Sequence, residues 1–245
     1  MPGLDIPYAE TKVRLLEAIG GFESDSWSTI VPATPEWTVL DLVAHVAGNA
    51  ADGAAATLPD INLMEQFRDP SVVAARDDFA DGQVLRRQGH SPAEVVAEWD
   101  EAEPELLKRL AVGGADSGLP LGFDVILVTD LCVHADDVAH ALGLPPNRES
   151  AAGRIALAGY CFGVDYRIKA LGLPALTLRY GSREKKLGEG EAGATLSADR
   201  WELLRAFAGR RNRQQIRELE WTGDPEPYLS LIPAYGERED ALAEG

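Results

Sequence analysis

The chain has 245 residues, 45% hydrophobic and 26% charged, an ordinary globular composition with room for one large domain or two small ones. Its net charge of −17 argues against nucleic acid or an anionic membrane surface as partner, although a local arginine can still bind a small anion. No apolar run approaches the length of a membrane-spanning helix, and the two cysteines, Cys132 and Cys161, make neither a disulfide framework nor a zinc-ribbon pattern.

The stretch Met1-Pro2-Gly3-Leu4-Asp5 lacks a basic region followed by an apolar run, so a cytoplasmic protein with reduced thiols is expected. Helical spacing over residues 5–27 places Val13, Leu16, Ile19 and Gly20 on one face. Pro32, Pro35 and Trp37 mark a loop. Thr38, with Asp41 three residues on, is an N-cap with an acid in the first turn, ahead of an apolar run over 42–47. Residues 53–70 read as irregular. Ser91-Pro92-Ala93-Glu94 combines a cap, a proline at the first helical position and a glutamate three residues after the cap. The helix it starts runs through Trp99, Leu106 and Leu110 to Gly113-Gly114. A fourth helix over 121–142 stops at Gly143, with Pro145 and Pro146 beyond it.

Four helices joined by loops predict a bundle over residues 1–146, and the core of such a bundle is a usual place for metals. Residues 143–150 are the expected linker. Beyond it come a helix over 151–171, an alternating strand over 174–180, a second strand at 184–187 and a third at 194–196. Ser197-Ala198-Asp199 then precedes a helix over 200–208 and a basic turn, Arg210-Arg211-Asn212-Arg213. The expected fold class is mainly α: a four-helix bundle followed by a small α+β domain over 147–245.

Three of the four histidines have an acid four residues earlier: Asp41 before His45, Asp130 before His134 and Asp136 before His140. Residues so spaced share one side of a helix, so one helix can offer a carboxylate and an imidazole to an ion while a second adds another imidazole. Two histidines and one carboxylate leave a coordination position open, as catalytic metal sites do. Acids are 40 of the 245 residues, however, and on spacing alone solvated or capping acids beside partly buried histidines are the favoured account. Spacing alone does not choose among the three pairs.

The stretch Pro35-Glu36-Trp37-Thr38-Val39-Leu40-Asp41-Leu42-Val43-Ala44-His45 resembles the opening motif of the mycothiol-dependent maleylpyruvate isomerase family, within the wider DinB/YfiT-like group of metal-binding four-helix bundles. A second match is Asp130-Leu131-Cys132-Val133-His134, continuing through Asp137 and His140 to Gly143, where the family carries an acid, three residues and then histidine. A weaker third match, over 203–224 with Gly209-Arg210-Arg211 and Trp221-Thr222-Gly223-Asp224, resembles the C-terminal domain often attached to this bundle. The resemblance implies His45, Asp130 and His134 as ligands and catalytic residues, assigns Asp41 to capping and leaves His140 outside the set. The family pattern carries Glu where this chain has Asp130, one methylene shorter, so the helices must pack closer for Asp130 to reach an ion.

The implied cofactors are a divalent ion, zinc first with nickel or iron as alternatives, and mycothiol. A divalent ion favours thiolate over thiol at neutral pH. In the isomerase reaction the thiolate adds to a conjugated double bond, the resulting single bond rotates, and elimination gives the trans product. Related bundles transfer the thiol to an electrophile. The partners expected are thus a small-molecule thiol and an electrophilic substrate, for a monomer or homodimer. Arg210 and Arg211 are candidates for binding a carboxylate of thiol or substrate; composition favours a solvated helix-end cluster formed with Arg213. Asp137 is either a hydrogen-bond partner for a ligating histidine or a surface acid, His90 a loop residue and Cys132 a small core residue. Two readings compete with the thiol enzyme: a non-haem Fe(II) enzyme, which uses the same ligand set, and a bundle that binds metal or a small ligand without catalysis.

Overall fold

The structure, a computed structural model, describes residues 3–59 and 70–244. The N-terminal half is helical: α1 (Asp5–Ile19), α2 (Val39–Ala55), α3 (Pro70–Arg86), α4 (Pro92–Val112) and α5 (Phe123–Ala141). Capping chemistry sets two of the starts. Thr38 Oγ1 accepts the amide of Asp41 while Asp41 returns a carboxylate to the Thr38 amide, and Ser91 and Glu94 repeat that reciprocal box ahead of Pro92. The irregular stretch expected over 53–70 differs in part, because α2 runs on to Ala55; residues 60–69 of that stretch lie outside the described residues.

Helices α1, α2, α4 and α5 pack on one another, and these correspond to the four helices expected from the sequence, while α3 packs on α2 as well. The first is shorter than expected and turns a different face inward. Val13 is exposed, whereas Tyr8, Lys12, Leu15 and Ile19 are buried. Lys12 can occupy that face because Asp100 (2.7 Å) and Glu103 (3.0 Å) of α4 take its ammonium. The α3 helix has no sharp apolar periodicity and is absent from the sequence reading. It rests against α2 at Gly48, where an added Cβ would come within 2.9 Å of Gln83 Cβ. The expected loop around Pro32–Trp37 is instead a hairpin, β1 (Ile30–Val31) pairing antiparallel with β2 (Thr34–Thr38).

The C-terminal half begins with α6 (Ala151–Ala170), capped by Ser150, and continues through β3 (Ala175–Tyr180), β4 (Arg183–Leu187), β5 (Ala192–Ser197) and α7 (Arg200–Phe207). All of these follow the expected elements. The short α8 (Arg213–Arg217), β6 (Glu220–Gly223) and α9 (Glu226–Leu229) were not read from the sequence. The sheet order is β4-β3-β5-β6, with β3 and β5 parallel and the outer pairs antiparallel. Four successive β3 residues, Ala175 to Leu178, are buried, since a central strand is covered on both faces. The fold is mainly α with a C-terminal α+β region. No helix among the described residues is long and apolar enough to cross a membrane.

α5 lies between α1 and α6 and also touches α2. Enclosed in this way, it carries buried Asp124, Thr129, His134, Asp136 and Asp137 among its apolar residues. Buried charges require partners, and those partners build the site.

Candidate metal centre

His45 lies near the middle of α2, buried, and Asn49 follows one turn later on the same side. Asp130 and His134 are likewise one turn apart on α5, facing α2. His45 Nε2 is 3.0 Å from Asp130 Oδ2, and His134 Nε2 is 3.6 Å from Asp130 Oδ1. The shorter aspartate thus reaches both imidazoles. The Asn49 amide donates to Asp130 Oδ2 at 2.9 Å, and Gln83 of α3 donates to Asn49 Oδ1 at 3.0 Å. Trp37, at the end of the hairpin, covers both rings, its centroid 5.3 Å from that of His45 and 6.4 Å from that of His134.

One potential ligand atom from each of His45, Asp130 and His134 lies within 4.8 Å of the others. That span suits a divalent ion with bonds of about 2.0–2.2 Å to nitrogen and oxygen. His134 fits the role closely, because its Nδ1 is engaged by Asp137 Oδ2 at 3.1 Å and its Nε2 is left for an ion. His45 Nδ1 is buried with no hydrogen-bond partner, and its Nε2 faces the carboxylate. Burial works to raise the pKa of Asp130, but His134, His45 and Arg76 outweigh it and hold the carboxyl well below the usual range.

Behind His134 stands a charge network that joins the two halves of the chain. Asp137 is wholly buried and receives Arg205 Nη2 at 2.6 Å and Arg210 Nη2 at 2.6 Å. Burial would raise the Asp137 pKa, yet Arg210 and Arg205, with the contact to His134, hold it far down. Arg205 also pairs with Glu244, near the end of the chain, and Glu244 in turn takes Arg211 Nη1 at 2.5 Å.

A cavity of about 400 Å³ opens beside the cluster, lined by Trp37, His45, Asn49, Asp130 and His134 on one side and by Arg76, Tyr160, Arg210 and Tyr235 among others. Residues 8–139 match the family described as the mycothiol maleylpyruvate isomerase N-terminal domain, more than half of the chain. The chain belongs to this family. Two solved structures share the fold across most of both chains. A crystal structure of the mycothiol-dependent maleylpyruvate isomerase has a TM-score of 0.51 and 14% identity, over 85% of this chain and 90% of that one. A histidine-to-alanine mutant of that enzyme gives 0.50 and 13%, over 84% and 89%. No curated protein sequence matches the chain.

Within this family member, the residues singled out from sequence separate clearly. His45, Asp130 and His134 come together; Asp41 caps α2; His140 lies at the far end of α5 and His90 in an exposed turn. Arg210 lines the cavity, but its guanidinium is turned to Asp137 and to the carbonyl of Ala208. Arg211 does not line the cavity and is held between Glu202 and Glu244, so the expectation that treats the two arginines alike meets a structure that parts them. Arg213 pairs at the surface with Glu226 and Glu237. Of the two readings open for Asp137, the structure has the histidine partner. Cys132 is a core residue whose thiol burial pushes up to about 12. Sequence reasoning missed Asn49, for which the one-turn spacing from His45 was the available signal. It also missed Arg76 and Gln83, because α3 itself was not recognised.

Proposed function

We propose that the protein is a divalent-metal-dependent thiol enzyme, with His45, Asp130 and His134 as the ligands and the catalytic residues. The convergence of two imidazoles and one carboxylate at the wall of a 400 Å³ cavity carries this reading. An ion held there would supply one thing, a preference for thiolate over thiol at neutral pH; zinc is the first choice for such a donor set, with nickel or iron next. The chain's own residues do the rest. Asp137 keeps His134 in the tautomer that points Nε2 at the site, Asn49 holds Asp130, and Trp37 shields both histidines from one side.

The cavity takes a small electrophile beside a low-molecular-weight thiol, and family membership makes mycothiol the thiol to test first. Cis–trans isomerisation of the maleylpyruvate kind is the first reaction to assay, with transfer of the thiol to an electrophile as the alternative product. We read residues 1–146 as the metal-binding unit and 147–245 as an α+β domain that completes the cavity with Tyr160, Arg210 and Tyr235.

Elemental analysis of wild type beside His45→Ala and His134→Ala tests the metal. Near-stoichiometric divalent ion in the wild type, lost from both variants, and turnover that needs mycothiol are the expected results. Metal-free wild type that also fails reconstitution would overturn the catalytic assignment.

A further inference from the structure

Three arginines line the cavity, and Arg210 is fully committed. Arg210 gives Nε and Nη2 to Asp137 and Nη1 to the Ala208 carbonyl, and Arg238 gives Nε to the Asp240 carbonyl at 2.7 Å. Arg76 is different. Among the described residues its closest acid is its neighbour Asp77, at 4.0 Å, the outer limit of an ion pair. Its guanidinium carbon sits over the Tyr235 ring, 3.6 Å from the centroid, a distance at which a guanidinium packs by its face. A guanidinium stacked by its face keeps its in-plane N–H edge free, and that edge is the one that binds carboxylates in bidentate fashion.

Burial works against the charge on Arg76, but Tyr235, Asp130, Tyr160 and Asp77 together outweigh it, so the group stays charged inside the cavity. The helix that carries it is fixed to the metal-site helix. Gln83 of α3 bonds to both Asn49 and Asp52 of α2, and Arg86 reaches Asp52 at 3.3 Å. In a chain of net charge −17, an anion is drawn into this cavity by a cation, and Arg76 is the one that stacks on Tyr235 while, among the described residues, no hydrogen bond draws off its donors.

We propose that Arg76 is the specificity-determining residue of the cavity, binding a carboxylate of the electrophilic substrate with Tyr235 as its stacking support. The inference rests on the thiol-enzyme reading for the word substrate, but not for the binding site itself. The bound carboxylate would then sit at the α3 side of the cavity that His45, Asp130 and His134 also line.

Calorimetric titration of the purified protein with maleate, a conjugated cis-dicarboxylate, and with dimethyl maleate tests this directly. Maleate is expected to bind wild type and to bind Arg76→Gln roughly tenfold to a hundredfold more weakly, the range for losing a charged hydrogen bond. Arg76→Lys is expected to fall between, since it keeps the charge and loses the fork. Binding of the diester is expected to be the same in all three. In turnover, Arg76→Gln is expected to raise KM for an acidic electrophile while KM for the thiol stays unchanged. Equal maleate affinity in wild type and Arg76→Gln, or no maleate binding to wild type, would overturn the proposal. Metal content measured on the same samples keeps the two ideas apart. An Arg76-dependent maleate site in protein that holds no metal would retain this inference while the metal reading fails.

Discussion

Asp137 Oδ2 lies 3.1 Å from His134 Nδ1, and Asp137 is wholly buried between that imidazole and two guanidiniums. The relationship ties the C-terminal half to the candidate metal site, because Arg205 and Arg210 orient the carboxylate that orients the histidine. Asp137→Asn keeps the size and removes the charge. Loss of a partner behind a ligating histidine typically costs about 10–100-fold in metal affinity, and that loss is expected here, read by competition with a chelating dye. Unchanged affinity would mean that His134 is held by packing alone.

Glu244 carries the same network to the end of the chain, where it is almost fully buried against Arg205 and Arg211. Burial raises its pKa, but the two arginines outweigh that and lower it below the ordinary glutamate value. A depressed folded-state pKa contributes stability that is complete above the unfolded pKa of about 4.3 and is lost as pH falls through the lowered value. Glu244→Gln is therefore expected to cost about 3–5 kcal/mol at pH 7, where it leaves two buried cations short of a partner. Denaturant melts should show the gap to wild type narrowing below pH 4. A gap that stays constant into acid would show that the charge on Glu244 contributes nothing.

Both thiols are buried, Cys132 pushed to about 12 and Cys161 to about 11. Neither is a nucleophile at neutral pH, since the thiolate is the reactive form. Native protein is expected to resist alkylation at pH 8 and to take up two labels after unfolding, by intact-mass measurement. The raised values also carry a sign. The unfolded chain releases these protons first, so stability is expected to fall as pH rises above the unfolded thiol value of about 8.5. Rapid native labelling would point to opening of α5 or α6.

At Gly48, α2 packs tightly against α3 and the residue that follows it: an added Cβ would meet Arg87 Nη1 at 2.8 Å and Gln83 Cβ at 2.9 Å. Gly48→Ala raises helix propensity but forces α3 outward, and overpacking of this kind costs about 1–3 kcal/mol. A lower melting temperature is expected, together with greater protease sensitivity within 70–86, with the rest of the bundle left intact. A variant as stable as wild type would show that α3 shifts without penalty.

Local chemistry made much of this protein legible before its fold was known. The caps at Thr38 and Ser91, the stop at Gly143 and the alternation over 174–180 are interactions within a few residues, so the chain alone specified those helices and strands. His45, Asp130 and His134 were reachable only through the resemblance, because acids are common enough here to precede histidines without meaning. What tertiary structure decided was every relation across the chain. Lys12 is buried because Asp100 and Glu103 meet it, Arg210 faces the cavity while Arg211 turns away, and Asp137 serves His134 because Arg205 and Arg210 neutralise it. Helix α3 has no sharp apolar stripe of its own, and packing against Gly48 and hydrogen bonds to Asn49 and Asp52 hold it in place. Those contacts span more than thirty positions of sequence, a separation at which no pattern of spacing survives, and with them came Arg76.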